Sequence, residues 1–168
     1  MRVEVWDTFG PPVFLREGEA TVTALRELGY RASLRLLPDS RYYAYTNDSR
    51  NRAQVIDGGW SAEYPSADDL ISKLTCRYYT PGNGPQTTDA GELCDHAFDR
   101  QVVRAAKLQT IDAPAANRLW ARLDRLLTDR AVWLPTVTPN EIDLLSSRVA
   151  NYQYNPVLGT LIDQLWVR

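Results

Sequence analysis

At 168 residues, 44% of them hydrophobic and 24% charged, the chain is long enough for one domain with a proper core and short for two. Its 19 basic and 21 acidic residues leave a formal charge of −2, which argues against a nucleic-acid partner. No apolar run approaches the roughly 20 residues of a membrane helix. The opening Met1-Arg2-Val3-Glu4-Val5-Trp6-Asp7 lacks the apolar centre of a secretion signal, so any export signal is expected outside these residues.

In chain order, Val3 and Val5 alternate with Glu4 as in a strand, and Asp7 to Pro12 supply turn residues. Pro12 suits the first turn of a helix, with Phe14, Val22, Leu25 and Leu28 at near-helical spacing and Gly29 at its stop. Ala32, Leu34 and Leu36 then alternate with Ser33 and Arg35. Strand, helix and strand joined by short connections predict a right-handed, parallel βαβ unit. Asp39 is placed to cap a short helix through Tyr42, Tyr43 and Tyr45, and Gln54-Val55-Ile56 reads as a buried strand. Ser66 or Asp68 opens another short helix containing Leu70, Ile71 and Leu74.

Cys76 and Cys94 bracket a polar, Gly- and Pro-rich stretch. A disulfide closing that loop is the first reading and implies an oxidising compartment. Two unrelated thiols are the second. A metal site with Asp95, His96 and Asp99 is the third, disfavoured because no C-x-x-C pair is present. Beyond the loop, Phe98, Val102, Ala105 and Ala106 form one apolar helical stripe. Asp112 as N-cap, Pro114 in the first turn and Leu119, Trp120, Leu123, Leu126 and Leu127 define a second helix. Val132 to Val137, Ile142 to Leu145 and Leu161 to Val167 are expected to be extended.

Catalytic signatures are absent: no G-x-S-x-G elbow, no G-x-G-x-x-G and no Walker loop, with His96 the one histidine. Gly10-Pro11-Pro12 at a helix start reads either as an anion-receiving turn or as a plain connection. Gly58-Gly59-Trp60-Ser61-Ala62-Glu63-Tyr64-Pro65 is the unusual stretch. Its glycines permit close approach, Trp60 and Tyr64 offer flat walls, and Glu63 can take a cation. The alternative is a tight turn with Trp60 in the core and Glu63 in solvent.

That stretch, with Asp68 and Leu70, resembles the "G-W-x-x-D-Y-P-x-P-x-x-F/L" element of family 5 extracellular solute-binding proteins, the peptide- and nickel-type receptors of ABC transporters. Leu25-x-x-Leu28-Gly29-Tyr30 and the strand after it resemble the family's "L-x-x-I-G-I-x-V-x-L". Phe98-Asp99-x-x-Val102 with Ala105-Ala106, Asp112 with Arg118-Leu119-Trp120, and Val132-Trp133-Leu134-Pro135 resemble its following elements in order. The paired cysteines look like those of actinobacterial members.

The resemblance implies a periplasmic-binding-protein-like (type II) α/β lobe, with a mixed sheet flanked by helices. Residues 1–168 would form one domain, the C-terminal lobe of a two-lobed protein whose N-terminal lobe is missing here. It implies binding rather than catalysis, of oligopeptides or similar cationic or zwitterionic solutes, without cofactor or metal. Glu63 would stand where the family's Asp pairs with the ligand's ammonium, one methylene longer, and Trp60 and Tyr64 would be wall residues. An ABC permease would be the membrane partner, and the full-length form would be an extracellular, membrane-anchored lipoprotein. A ligand-sensing domain of a cytoplasmic regulator is the alternative, and a small enzyme using Glu63 and His96 ranks third.

Overall fold

Strand β1 (Arg2–Thr8) buries Val3, Val5 and Asp7 on one face and half-buries the residues between them. In the computed structural model, which describes residues 1–9, 12–79, 91–138, 140 and 142–168, β1 is the central strand of a parallel three-stranded sheet. It pairs with β2 (Arg31–Leu37) along its whole length and with β3 (Val55–Ile56) at Val5 and Trp6. Helix α1 (Pro12–Glu27) is the crossover between β1 and β2, as the sequence pattern requires. Val22 and Leu25 of α1 close over Val5, Ala32, Leu34 and Val55. Gly10, Pro11 and the Phe14 side chain, all named above, lie outside the described residues.

The end of α1 shows why glycine stands there. Gly29 takes φ +88°, and the Gly29 and Tyr30 amides donate to the carbonyls of Arg26 and Leu25 at 2.9 and 3.0 Å. This is the 5→2 and 6→1 pairing of a Schellman cap. Leu28 falls beyond the last turn and is exposed, so it leaves the apolar stripe.

Helix α2 (Asp39–Thr46) lies on the opposite face of the sheet, where Tyr45 packs on Trp6 with ring centroids 4.7 Å apart. Asp39 does not cap it. Pro38 occupies the N-cap position, and the Asp39 carboxylate, one residue later, accepts from the Thr8 hydroxyl instead. Gln54 lies outside β3, which is half-buried rather than buried. Its side chain accepts from the Glu4 amide at 2.9 Å, doing the work of a ladder carbonyl.

The second core is helical. Helix α4 (His96–Gln109) and helix α5 (Ala113–Asp129) form a hairpin on which the short helix α3 (Ala67–Ile71) and a 3-10 turn at Ser72–Leu74 pack. The predicted stripes are buried here: Phe98, Val102 and Ala105 meet Leu119, Trp120, Leu123 and Leu127, with Ile71 and Leu74 from the shorter turns. Leu70 points outward. Asp95 caps α4 through the Ala97 and Phe98 amides, and Asp112 caps α5 through Ala115. Asp95 also pairs with Arg130 at 2.8 Å, closing the open end of the hairpin. Cys76 and Cys94 are joined, tying the 3-10 turn to the start of α4. Most of the loop between them, residues 80–90, lies outside the described residues.

The tail departs from expectation. Residues 133–138 and Ile142 to Leu145 carry no ladder. Leu161 to Val167 gives only a 3-10 turn and β7 (Trp166–Val167), paired antiparallel with β4 (Val149–Ala150). A hairpin of β5 (Tyr154–Asn155) and β6 (Gly159–Thr160) completes it. A strand needs a neighbour to satisfy its backbone, and the described residues offer these segments none. Their apolar side chains are correspondingly bare, with Leu144 94% exposed.

Two stability measurements test this account. Ala131 follows α5 at φ +54°, and the Ala131 and Val132 amides make the same capping pair onto Thr128 and Leu127 as Gly29 and Tyr30 make onto Arg26 and Leu25. Ala131→Gly is expected to stabilise the chain by about 1 kcal/mol in urea unfolding, because only glycine enters this region without a Cβ penalty. Cutting the Cys76–Cys94 bond, 18 residues apart, by Cys→Ser at both positions should remove roughly 3 kcal/mol.

Candidate functional site

Three parallel strands end on one edge, and in such sheets the crevice beyond the carboxyl ends is where ligands bind. Here that edge is built by Asp7 and Thr8 of β1, Leu37 before Pro38-Asp39, and Ile56 before Asp57-Gly58-Gly59. Tyr42 locks its geometry from beneath: the buried hydroxyl lies 2.8 Å from the Trp6 carbonyl and also reaches that of Asp57. The Asp57 amide extends the ladder by donating to Trp6 at 2.8 Å. Burial pushes the Tyr42 phenol up, and the Asp57 and Asp7 charges add to the effect.

The edge is acidic. Asp7 is 2% exposed, and its Oδ1 accepts from the Thr8 amide at 2.6 Å. Burial raises its carboxyl above the ordinary range, with that amide opposing and Glu17 reinforcing the rise. Asp57 is raised to about 6, first by burial and then by the charges of Glu17 and Asp7. One carboxylate oxygen of each, Oδ2, is buried without a hydrogen-bond partner among the described residues. Glu17 of α1 accepts from the Thr136 hydroxyl, which brings the tail over this edge. Gly18 leaves room for the packing, since a Cβ there would stand 2.6 Å from Asp7 Oδ2.

From Asp57 the chain runs through the unusual stretch to Ser66, whose hydroxyl caps α3 by accepting from Asp68. Asp69 organises that run. Fully buried, its Oδ2 accepts from the Glu63 amide at 2.6 Å and lies 3.4 Å from Trp60 Nε1. The Tyr64 hydroxyl donates to Asp68 at 2.9 Å, and burial followed by this bond raises the phenol to about 12. Gln109 fastens the run to the helical core, accepting from Ser66 at 3.0 Å and from Trp120 Nε1 at 3.1 Å.

The three residues singled out in the sequence therefore sit on one clamped segment beside the acidic edge. Trp60 is 40% exposed and Tyr64 42%, so neither belongs to the core. Lys73 Nζ stands 4.7 Å from the Trp60 ring centroid, a cation–π contact. The Glu63 side chain is exposed, and its carboxylate has no ion-pair or hydrogen-bond partner among the described residues. His96 lies elsewhere, at the start of α4, 3.6 Å from Asp99. It shares a cluster with Cys76 and Cys94 whose ligand-type atoms lie within 4.8 Å of one another, but the sulfurs are bonded to each other and offer no thiolate.

Asp7, Glu17, Asp57 and Asp69 were not singled out from sequence as site residues. Asp7 reads in the sequence as a turn residue. A carboxylate at the end of each of two parallel strands was the available signal, and it becomes one only once β3 is known to pair with β1.

No protein-family model and no curated protein matches the chain. Solved structures do, and they define the class of fold: the periplasmic-binding-protein-like α/β lobe that the sequence resemblance implied. The structure titled clavulanic acid biosynthesis oligopeptide binding protein 2 superposes with a TM-score of 0.83 at 20% identity, over 99% of this chain and 30% of that one. A periplasmic binding protein associated with an ABC transporter of Helicobacter pylori, in complex with a peptide, gives 0.73 at 14% identity, covering 99% and 31%. A dipeptide binding protein from Pseudoalteromonas in complex with Met-Leu gives 0.71 at 14% identity, covering 99% and 32%. These neighbours are binding proteins, and the chain spans about a third of their length.

A pH series tests the acidic edge. The folded Asp57 value of about 6 lies above its ordinary 3.8, so between these limits the fold binds more protons than the unfolded chain. Stability is expected to rise as pH falls from 7 toward 4. Asp57→Asn should flatten that rise in thermal melts; a parallel offset at every pH would contradict the assignment.

Proposed function

We propose that the chain is a ligand-binding lobe of an ABC-transporter solute-binding protein, acting on oligopeptides or similar cationic or zwitterionic solutes. The observation that carries this is a fold match over 99% of the chain to peptide-binding proteins, with the Asp57–Pro65 segment standing at the carboxyl edge of the parallel sheet. In this reading Glu63 takes the ligand's ammonium and Trp60 and Tyr64 flank it. An N-terminal lobe of the complete protein covers the edge, and a membrane permease receives the closed complex. Residues 1–168 are then the C-terminal lobe.

The Cys76–Cys94 bond supports an extracellular setting over the cytoplasmic regulator, since such bonds persist where the surroundings oxidise. Lipid anchoring would fit that setting. No helix among the described residues is long and apolar enough to cross a membrane. The enzyme reading loses its proposed pair: Glu63 is held on the Asp69-clamped segment, and His96 faces Asp99 on α4. Binding without chemistry is the better fit.

Calorimetric titration of the complete gene product with short peptides tests this. Micromolar affinity is expected for the complete protein, and millimolar or weaker for residues 1–168 alone, because half a cleft loses enclosure and desolvation. Glu63→Gln should weaken peptide binding roughly tenfold to a hundredfold, the range for a charged hydrogen bond. Absence of any peptide binding by the complete protein would sink the reading, and an unaltered Glu63→Gln would remove that residue's role.

A further inference from the structure

We propose that in its dithiol form the chain carries a site for a zinc-type cation, made by Cys76, Cys94 and His96, and that closing the Cys76–Cys94 bond expels the ion. None of these residues lies in the Asp57–Pro65 segment, so the site stands or falls independently of the peptide-receptor reading.

Convergence is the first observation. With one ligand atom taken from each residue, the two sulfurs and an imidazole nitrogen lie within 4.8 Å of one another. A tetrahedral zinc ion with thiolate and imidazole ligands sets neighbouring ligand atoms roughly 3.3–3.8 Å apart. Side-chain rotation therefore brings the set into range once the sulfurs separate.

The second observation is that the ligands are held in place by more than the bond. Cys76 follows the 3-10 turn whose Leu74 is buried in the helical core. His96 opens α4, whose Phe98 is buried in the same core. Asp99 ties the two together: its Oδ1 accepts from the Cys76 amide at 3.3 Å, and its Oδ2 lies 3.6 Å from His96 Nδ1. A carboxylate beside a ligating imidazole orients the ring and raises its basicity. Asp95 takes no part, since its oxygens accept from the Ala97 and Phe98 amides and from Arg130.

Access and ligand chemistry name the ion. Cys94 and His96 are exposed and Cys76 is half-buried, so the set is open to solvent. Two thiolates and an imidazole suit zinc and other thiophilic ions, whereas calcium and magnesium need oxygen ligands. Three protein ligands leave the fourth position to water.

The ion and the bond compete for the same sulfurs. Cysteines enter a chain as thiols, and binding Zn2+ releases their two protons. One thiolate attacks an external disulfide, forming a mixed disulfide and freeing one external thiolate. The other thiolate then attacks the mixed disulfide, closing Cys76–Cys94 and freeing the second. Both external thiolates take protons from water. The protein sulfurs lose two electrons, the external disulfide gains them, and Zn2+ leaves with its charge unchanged.

The test uses the complete gene product, reduced with a phosphine under nitrogen, and Zn2+ in competition with a chromophoric chelator. The Cys76→Ser/Cys94→Ser double variant is the blank for any zinc held elsewhere. Reduced wild type is expected to hold one Zn2+ per chain more than the blank, and oxidised wild type no more than the blank. Adding oxidised glutathione to the zinc-loaded form should release that ion as two thiols disappear. His96→Asn, which keeps both cysteines, should weaken the site by roughly tenfold or more. Thermal melts guard against a reduced chain that merely unfolds and binds through loose thiols: Zn2+ should raise the melting temperature of reduced wild type and not that of the blank. Equal zinc in reduced wild type and blank would overturn the site. So would zinc retained after the bond closes, an unaltered His96→Asn, or no rise in melting temperature with zinc.

Discussion

Parallel pairing on both sides of β1 is the constraint from which the rest follows. Antiparallel strands would scatter their ends over two edges. Parallel ones bring Asp7, Leu37 and Ile56 to the same edge, so every chain segment leaving the sheet begins there. The segment after β1 enters α1 and places Glu17 and Gly18 above the edge; the segment after β2 enters α2 and sends Tyr42 beneath it. The segment after β3 has no long helix to enter. It becomes the Gly58–Pro65 run, and its conformation must be held by something else.

That something is a set of carboxylates with opposite fates. Asp69 is as buried as Asp7, but it receives the Glu63 amide and the Trp60 indole, so its charge is spent on fixing the run. Asp7 and Asp57 keep oxygens that nothing described satisfies, and burial raises both. Asp69 also keeps one buried oxygen, Oδ1, without a partner among the described residues, and differs in that its other oxygen is committed to the Glu63 amide. Unpartnered buried oxygens concentrate at functional edges rather than in the helical core, where Gln109 satisfies both Ser66 and Trp120.

Legibility in the sequence tracked how local the deciding physics was. The βαβ unit, the Gly29 stop, the Asp112 cap and the stripes of α4 and α5 all depend on residues within a turn or two of each other, and each was readable. Asp39 was misassigned because its carboxylate is drawn to Thr8 on a strand 31 residues away. The tail segments carry an extended pattern, but strand formation needs a partner, and Ile142 to Leu145 has none among the described residues. Trp60, Glu63 and Tyr64 were legible as a group because glycine, aromatic and acidic residues seldom cluster so tightly.

By itself, then, the sequence determined the long periodic elements, the caps of α4 and α5 that lie within their own first turns, and the stretch most worth examining, because propensity and patterning act over a few residues. It did not determine which carboxylates would share an edge. Asp7 and Asp57 are 50 positions apart in the chain, and only the parallel registers Val5 to Val55 and Trp6 to Ile56 bring them side by side. Both are raised first by burial and then by nearby negative charge, Glu17 acting on Asp7 and Glu17 with Asp7 acting on Asp57, all properties of the folded surroundings. Tertiary structure alone decided that Asp69 would hold the loop while Asp57 would stand beside Asp7 at the sheet edge with its Oδ2 buried and unpartnered among the described residues.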